Sequence, residues 1–321
     1  MDLSIVIPSR NEMFLKNTVE DILNNIEADT EIIVVLDGQW CIEPLKQHKR
    51  LTVIYLPKSI GQRSATNMAV KLSKAKYIAK CDAHCAFDKG FDRKLIEAFR
   101  EVGDDTVIVP NMKNLHIFDW VCTRCSNRRY QGRTGVCEKC GGEEKRDIVW
   151  IAKKSPNSTS YRFDTTLHFQ YWGKYKKQQK GDLVETLSLQ GSFFMITREN
   201  YWKLNICDES WGSWGNQGSE VAIKNWLSGN KVICNKRTWY AHLFRTQGGD
   251  FGFPYPQSGK QVEHARKCSR DIFFNNKYEK QIYPLSWLID KFKPIPDWHE
   301  DSGKKMLDYI NKKGNEYIDK R

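Results

Sequence analysis

Short apolar runs alternate with amphipathic stretches through the first third of this chain. LSIVI (3–7), EIIVVLD (31–37), LTVIYL (51–56), KYIAKCD (76–82) and TVIVP (106–110) read as buried strands, because each is a continuous, largely aliphatic run of strand length. Pro8 is expected to stop the first. Leu15, Val19, Ile22, Leu23 and Ile26 follow at helical spacing, with Asn11 as the expected cap. GQRSATNMAVKLSKA (61–75) reads as a loop feeding a helix, and Leu95, Ile96, Phe99 and Val102 mark another. Strands buried on both faces and separated by helices imply a mainly parallel sheet covered on each side. Ligands on such sheets bind beyond the carboxyl ends of the strands. Asp37 and Asp82 both stand at such ends.

At 321 residues the chain has ample length for a core. No apolar run approaches the roughly 18 residues that cross a bilayer. MDLSIVIPSRNE moves from an early acid straight into a strand, without the basic start and long apolar core of a signal peptide. The cytoplasm is therefore the expected location. The formal net charge is +12, and Lys and Arg outnumber Asp and Glu 14 to 5 between residues 122 and 181. Such a field favours an anionic partner, or is a solvated surface with no specific task.

That basic stretch opens on a cysteine cluster, Cys122-x2-Cys125-x11-Cys137-x2-Cys140. Two CxxC knuckles at this separation fit zinc, and four thiolates close a tetrahedral shell with no open position, as in a structural site. Two disulfides are the alternative and fit a cytoplasmic chain poorly. Arg124, Arg128, Arg129 and Arg133 decorate the cluster. The insert reads either as a metal staple for a segment too small to have a core or as a staple that also touches nucleic acid.

The triplet Asp82-Ala83-His84 ends the fourth strand. A carboxylate and an imidazole two residues apart point to the same side of an extended chain, half of a divalent-metal site. Alone, the triplet reads equally as a turn with a capping Asp and a surface His. Alone, His242 reads as a packed histidine and Asp37 as a turn residue.

SIVIPSRNE (4–12), VVLDGQ (34–39), GQRSATNMAV (61–70) and CDAHC (81–85) resemble, in that order, the nucleotide-sugar half of a GT-A glycosyltransferase of family 2. Within that family the chain is most similar to the polypeptide N-acetylgalactosaminyltransferases, which also carry Asp-x-His. LQGSFFMITRENYWKL (189–204) and the text from Trp211 to Arg245, ending in HLFR, resemble the second half of that catalytic domain. The resemblance covers roughly residues 3–118 and 187–275. It implies an α/β GT-A fold, a Rossmann-like nucleotide-sugar-binding sheet, with a small zinc-ribbon insertion and a helical C-terminal tail. The implied division is a nucleotide-sugar-binding half (1–118), the ribbon (119–142), an acceptor half with a lid loop (143–259) and a helical extension (260–321).

The resemblance also implies roles. Asp82, His84 and His242 would hold Mn²⁺ or Mg²⁺, and mixed carboxylate and imidazole ligands suit Mn²⁺ better than Ca²⁺. Pro8, Arg10 and Glu12 would shape the nucleoside pocket, and Asp37 would accept hydrogen bonds from the nucleoside. Gly61 and Arg63 would lie near the diphosphate. Ala83 and Trp214 would contact the donor, with Gln217, Trp211 and Trp214 setting sugar choice. Arg245 and the 246–259 loop would close over it. The chain departs from the family where inverting relatives carry a catalytic Asp: that position is Gly218, and the Glu before it is Gln217. Only Glu220 survives, as a displaced base or a helix-capping acid. An inverting transfer needs a carboxylate opposite the leaving group, so a retaining transfer is expected, with Glu220 and Gln217 nearest the chemistry.

The expected function is metal-dependent transfer of a hexosyl or N-acetylhexosaminyl group from a UDP-sugar to an acceptor hydroxyl. The basic middle and the ribbon point to nucleic acid as acceptor, such as hydroxymethylated DNA bases in a bacterial or phage-infected cell. Protein or glycan acceptors with a purely structural zinc remain open. So does a non-catalytic zinc-ribbon protein that binds nucleic acid on a borrowed GT-A scaffold.

Overall fold

The structure is a computed structural model that describes residues 1–244 and 259–320. β1 (Leu3–Ser9), β2 (Thr30–Asp37), β3 (Leu51–Leu56) and β4 (Tyr77–Cys81) lie parallel in the order β3-β2-β1-β4. α1 (Leu15–Asn25) and α2 (Gln62–Leu72) connect them as crossovers. β5 (Cys85–Phe87) and α3 (Phe91–Val102) follow. β1, β2 and β4 are almost wholly buried, as aliphatic runs in a doubly covered sheet must be.

Two local expectations are corrected. Pro8 does not stop β1, which continues to Ser9 against β2. The ladder to β4 ends at Val6, so a missing N–H at Pro8 breaks no bond on that side. Asn11 does not cap α1. It adopts φ 50°, and the helix begins only at Leu15 with no side-chain cap.

The largest difference lies after residue 105. The expected five-residue strand is β6 (Thr106–Cys122), 17 residues long. It turns through β7 (Arg128–Tyr130) and the cysteine cluster, then returns as β8 (Glu144–Ser158), antiparallel to β6. The expected boundary at residue 118 therefore falls inside a continuous strand. Register shifts near Asn114 and Ile117 bury Ile117 and Phe118 in succession. These bulges break the period-two alternation that reveals a strand in sequence.

β9 (Tyr161–Phe163) and β10 (Phe169–Tyr171) form a small hairpin, followed by α4 (Gly173–Lys176). β11 (Leu183–Glu185), β12 (Phe193–Thr197) and β13 (Lys231–His242) complete the main sheet in the order β11-β13-β6-β12-β4. β12 is antiparallel to both β4 and β6, whereas β13 runs parallel to β6. α5 (Arg198–Lys203) and α6 (Gln217–Leu227) pack on this half. The expected helical tail is α7 (Gly259–Phe274), α8 (Leu285–Phe292) and α9 (Asp301–Ile318). Trp298, before α9, is fully buried, and its indole N–H donates to the Phe163 carbonyl at 3.1 Å.

This topology positions the site. β6 and β13 pair as far as Asn114 and His242. β5 pairs with the end of β13, setting Cys85 opposite His242. His84 is therefore delivered beside His242 by sheet register. Beyond Asn114, the arm of β6 and β8 continues past the sheet's carboxyl rim. Its eight residues to Cys122 correspond to roughly 26 Å of strand.

Candidate active site

Asp82 directly follows β4, and its N–H donates to the Ser192 carbonyl at 2.8 Å. The Nε2 atoms of His84 and His242 lie 3.0 Å apart, and Asp82 Oδ2 lies 3.4 Å from His242 and 4.0 Å from His84. Ligands about 2.1 Å from one hard cation stand about 3 Å apart when adjacent in an octahedron. The triad fits a divalent ion.

Its surroundings fit too. His84 Nδ1 lies 3.1 Å from Glu12 Oε2, with both side chains buried. A carboxylate only accepts, so the proton sits on Nδ1 and the Nε2 lone pair faces the site. Burial pushes His242 down to about 4, against the opposing pull of Asp82. His242 is therefore neutral at pH 7, the form that binds metal. Its Nδ1 is buried and has no hydrogen-bond partner among the described residues. Burial alone would raise the Asp82 carboxyl, but Lys80 and the two histidines hold it well below the usual carboxylate range. Buried Lys80 donates to Asp82 Oδ1, and to the Gly191 carbonyl at 2.8 Å, leaving Oδ2 toward the histidines. The sequence reading missed Lys80, and the pattern of a buried strand, in which a lysine is out of place, was the signal for it.

A cavity of about 220 Å³ opens beside Asp82. Lys80, Phe169, Gln190, Trp214 and Gln217 are among its walls, with Arg266 at the α7 side. Asp82 is the one carboxylate among the described lining residues. Gly218 also lines it, and a Cβ there would sit 2.2 Å from the Leu189 carbonyl oxygen. Any side chain at that position requires the backbone to move. Gln217 is buried and donates to Cys207 Sγ at 3.1 Å.

Several expected donor contacts are engaged elsewhere. Glu220 is fully buried, with Arg63 2.9 Å from one oxygen and Lys224 2.7 Å from the other. Two cations and complete burial deny it to an acceptor, so it does not stand as a displaced base. Arg63, expected near the diphosphate, also donates to the Gly212 and Gly215 carbonyls. It clamps α2 to the loop that carries Trp214. Gly61 (φ 94°) packs against that loop, where a Cβ would meet the Ser213 Cβ at 2.7 Å. The Asp37 carboxylate accepts from Ser59 Oγ and the Ile60 and Gly61 N–H groups at 2.6–3.0 Å, fixing the 59–61 turn. Glu12, expected to shape the nucleoside pocket, holds His84. Arg10 stays beside Gly38 at the ends of β1 and β2, and Pro8 and Ala83 are buried. Trp211 is fully buried away from the cavity, whereas Trp214 lines it. Arg245 and the lid to residue 258 lie outside the described residues.

At the tip of the arm, Cys125 Sγ lies 3.4 Å from Cys140 and 3.6 Å from Cys137, and Cys122 lies 3.5 Å from Cys140. These separations are too long for disulfides and close to the edge of a zinc–thiolate tetrahedron. The Cys125 and Arg124 N–H groups point at Cys122 Sγ and hold its thiol down to about 6. Arg128 pairs with Asp119 and Asp147, and Arg129 with Glu144. Both arginines serve the hairpin itself.

No helix among the described residues is long and apolar enough to cross a membrane. Residues 4–118 match the family described as glycosyl transferase family 2. Polypeptide N-acetylgalactosaminyltransferase 13 of Drosophila melanogaster is 23% identical over 91% of this chain and 49% of its own. Polypeptide N-acetylgalactosaminyltransferase 6 of Bos taurus is 22% identical over 76% of this chain and 38% of its own. The chain thus spans half or less of the length of these relatives. The crystal structure of GalNAc-T7 with UDP, GalNAc and Mn²⁺ superposes with a TM-score of 0.61 at 16% identity, covering 100% of this chain and 57% of that one. The family 2 match is thus confined to residues 4–118, the relatives that span most of this chain are polypeptide N-acetylgalactosaminyltransferases, and the fold is the GT-A fold of the GalNAc-T7 structure.

Proposed function

We propose that this chain transfers a sugar from a UDP-sugar to an acceptor hydroxyl with retention of configuration, using a divalent ion held by Asp82, His84 and His242. The convergence of these three ligand atoms beside the cavity carries the reading. A pure binding module has no need of that triad. The ion, Mn²⁺ by its ligand chemistry and by the ion in the GalNAc-T7 structure, neutralises charge on a departing diphosphate when bound. The residues that remain do the rest. Lys80 orients Asp82, Glu12 orients His84, and Trp214 and Gln217 line the space beside them.

Retention is supported by what the cavity lacks. No described lining residue except Asp82 carries a carboxylate, and Gly218 has no room for one. In the proposed step the sugar C1–O bond to the diphosphate breaks and the acceptor oxygen bonds to C1 on the same face. The acceptor proton passes to the departing phosphate oxygen. The proposed acceptor is a hydroxymethylated base in nucleic acid, supported by the basic stretch from residue 122 to 181. The cysteine cluster is read as a structural zinc staple, because Arg128 and Arg129 are paired within the arm.

The test is UDP release from a panel of UDP-sugars with Mn²⁺, with and without DNA carrying hydroxymethylpyrimidines, and proton NMR of the product anomer. Release must stop with chelator and in Asp82→Ala and His84→Ala. Metal-independent release, or a product of inverted configuration, refutes the corresponding part.

A further inference from the structure

A second cavity, of about 450 Å³, shares the β9–β10 hairpin with the one beside Asp82. Phe169 lines the first cavity, and Tyr171, two residues on along the same face of β10 and 5.1 Å away by ring centroid, lines the second. The walls of the second cavity come from the root of the β6–β8 arm (Asn114, Asn157, Ser158), from Lys176 of α4, and from Phe244. Phe244 links it to the metal triad, its ring centroid 4.8 Å from that of His242. Tyr171 and Phe244 are 47% and 36% exposed in a cavity wall, and their rings cross at 69° with centroids 6.5 Å apart. A planar ligand can stack on one and meet the edge of the other.

Lys176 is the lysine in the cavity wall, and it donates to Asn157; further lysines stand close in sequence to the lining residues. Lys154 on β8, and Lys174 and Lys177 in and beside α4, are exposed and have no carboxylate partner among the described residues. Aromatic faces flanked by unpaired cations are the means by which single-stranded nucleic acid is held: bases stack and phosphates meet lysines. A neutral protein or glycan acceptor gives such lysines no general task. The Asn114 amide lines the same wall and can meet a base edge, whereas Asn157 Oδ1 accepts from Lys176.

We propose that this cavity binds the acceptor as a single strand of nucleic acid, one base against Tyr171 and Phe244 and the neighbouring phosphates on the lysines of β8 and α4. This deepens the glycosyltransferase reading and rests on it for the chemistry, not for the binding.

The test is fluorescence anisotropy of a fluorescein-labelled oligothymidylate with the full chain across a salt series. Saturable binding is expected, falling linearly in log–log form with salt. Tyr171→Ala should weaken it about tenfold, the loss typical of one stacked base, with little change in salt slope. Tyr171→Phe should keep it, and matched thermal melts establish that both variants fold. Lys174→Ala with Lys177→Ala should reduce the slope by about 1.4, or about 0.7 per phosphate contact on a single strand. Absence of binding at low salt, indifference to Tyr171→Ala, or tighter binding of the matching duplex overturns the proposal. Binding of a Ser/Thr-rich peptide that depends on Tyr171, with none of the oligonucleotide, also overturns it and assigns the cavity to a protein. Calorimetry of UDP with Mn²⁺ on the same preparation separates the two readings. UDP bound without oligonucleotide defeats only this proposal. Oligonucleotide bound without UDP defeats only the donor reading.

Discussion

His84 is held through both ring nitrogens, Nδ1 by Glu12 and Nε2 toward His242 and Asp82. A carboxylate behind a ligating imidazole fixes its tautomer and raises its basicity, and losing one typically costs 10–100-fold in metal affinity. Glu12→Gln keeps the shape and removes the charge. Mn²⁺ titrated into the variant and followed by electron paramagnetic resonance should bind at least about tenfold more weakly. Unchanged affinity would make Glu12 a packing residue. His242 gives a second expectation at this scale. Its folded value, about 4, lies below the ordinary 6.5, so the unfolded chain binds the proton more readily. The associated stability is complete above pH 6.5 and is lost as pH falls toward 4. Between pH 7 and pH 5 that loss is about 2 kcal/mol without divalent ion. Urea melts of His242→Ala should lack this increment, and an identical pH slope in the variant would refute it.

At the scale of elements, the Arg63–Glu220–Lys224 cluster joins α2, α6 and the loop that carries Trp214. All three side chains are buried, so removing one charge leaves others without compensation. Glu220→Gln should lower stability by about 3–5 kcal/mol in urea melts. A loss under 1 kcal/mol, with catalysis abolished, would instead return Glu220 to the chemistry. The cluster also marks the limit of what was legible in the sequence. β1, β2, β4, α2 and α3 could be read from uninterrupted aliphatic runs and helical spacing, because burial alone dictates those patterns; β3 is a strand where expected but not a buried one, since it is an edge strand with Val53 and Tyr55 exposed. Asp82, His84 and His242 could be read because their text is local to strand ends. Roles set by long-range partners could not. Arg63 and Glu220 stand 157 residues apart, and nothing local tells an arginine bonded to a diphosphate from one clamped to a carboxylate. Asp37 looks like a ligand-binding acid at a strand end, yet it closes its own turn. The arm was hidden by its bulges.

The whole molecule is a doubly covered sheet with an arm built out from its carboxyl rim. The arm's root is secured by apolar packing: Leu115, Ile117, Phe118 and Trp120 form a cluster with Phe14 and Leu243, and the Trp150 N–H donates to Asp21 at 2.9 Å. Its tip has no such core. Tyr130 and Val136 are exposed there, and the four cysteines bring the two knuckles together with help from Thr123 and Arg124, which donate to the Glu143 and Cys140 carbonyls. The root therefore should not need a metal, whereas the tip should, since closing a segment this poor in buried surface requires ligand bonds. Removing zinc with a strong chelator should release about one equivalent by colorimetry. Backbone amides from about 119 to 145 should lose hydrogen-exchange protection, while β1, β2, β4 and residues 106–114 keep theirs. Collapse of the central sheet would mean that the cluster belongs to the main folding unit. Unchanged exchange at the tip would mean that the hairpin closes without metal. With the expected result, metal loss becomes a way to melt the arm alone, and oligonucleotide binding before and after chelation then separates the arm's tip from the Tyr171 cavity at its root.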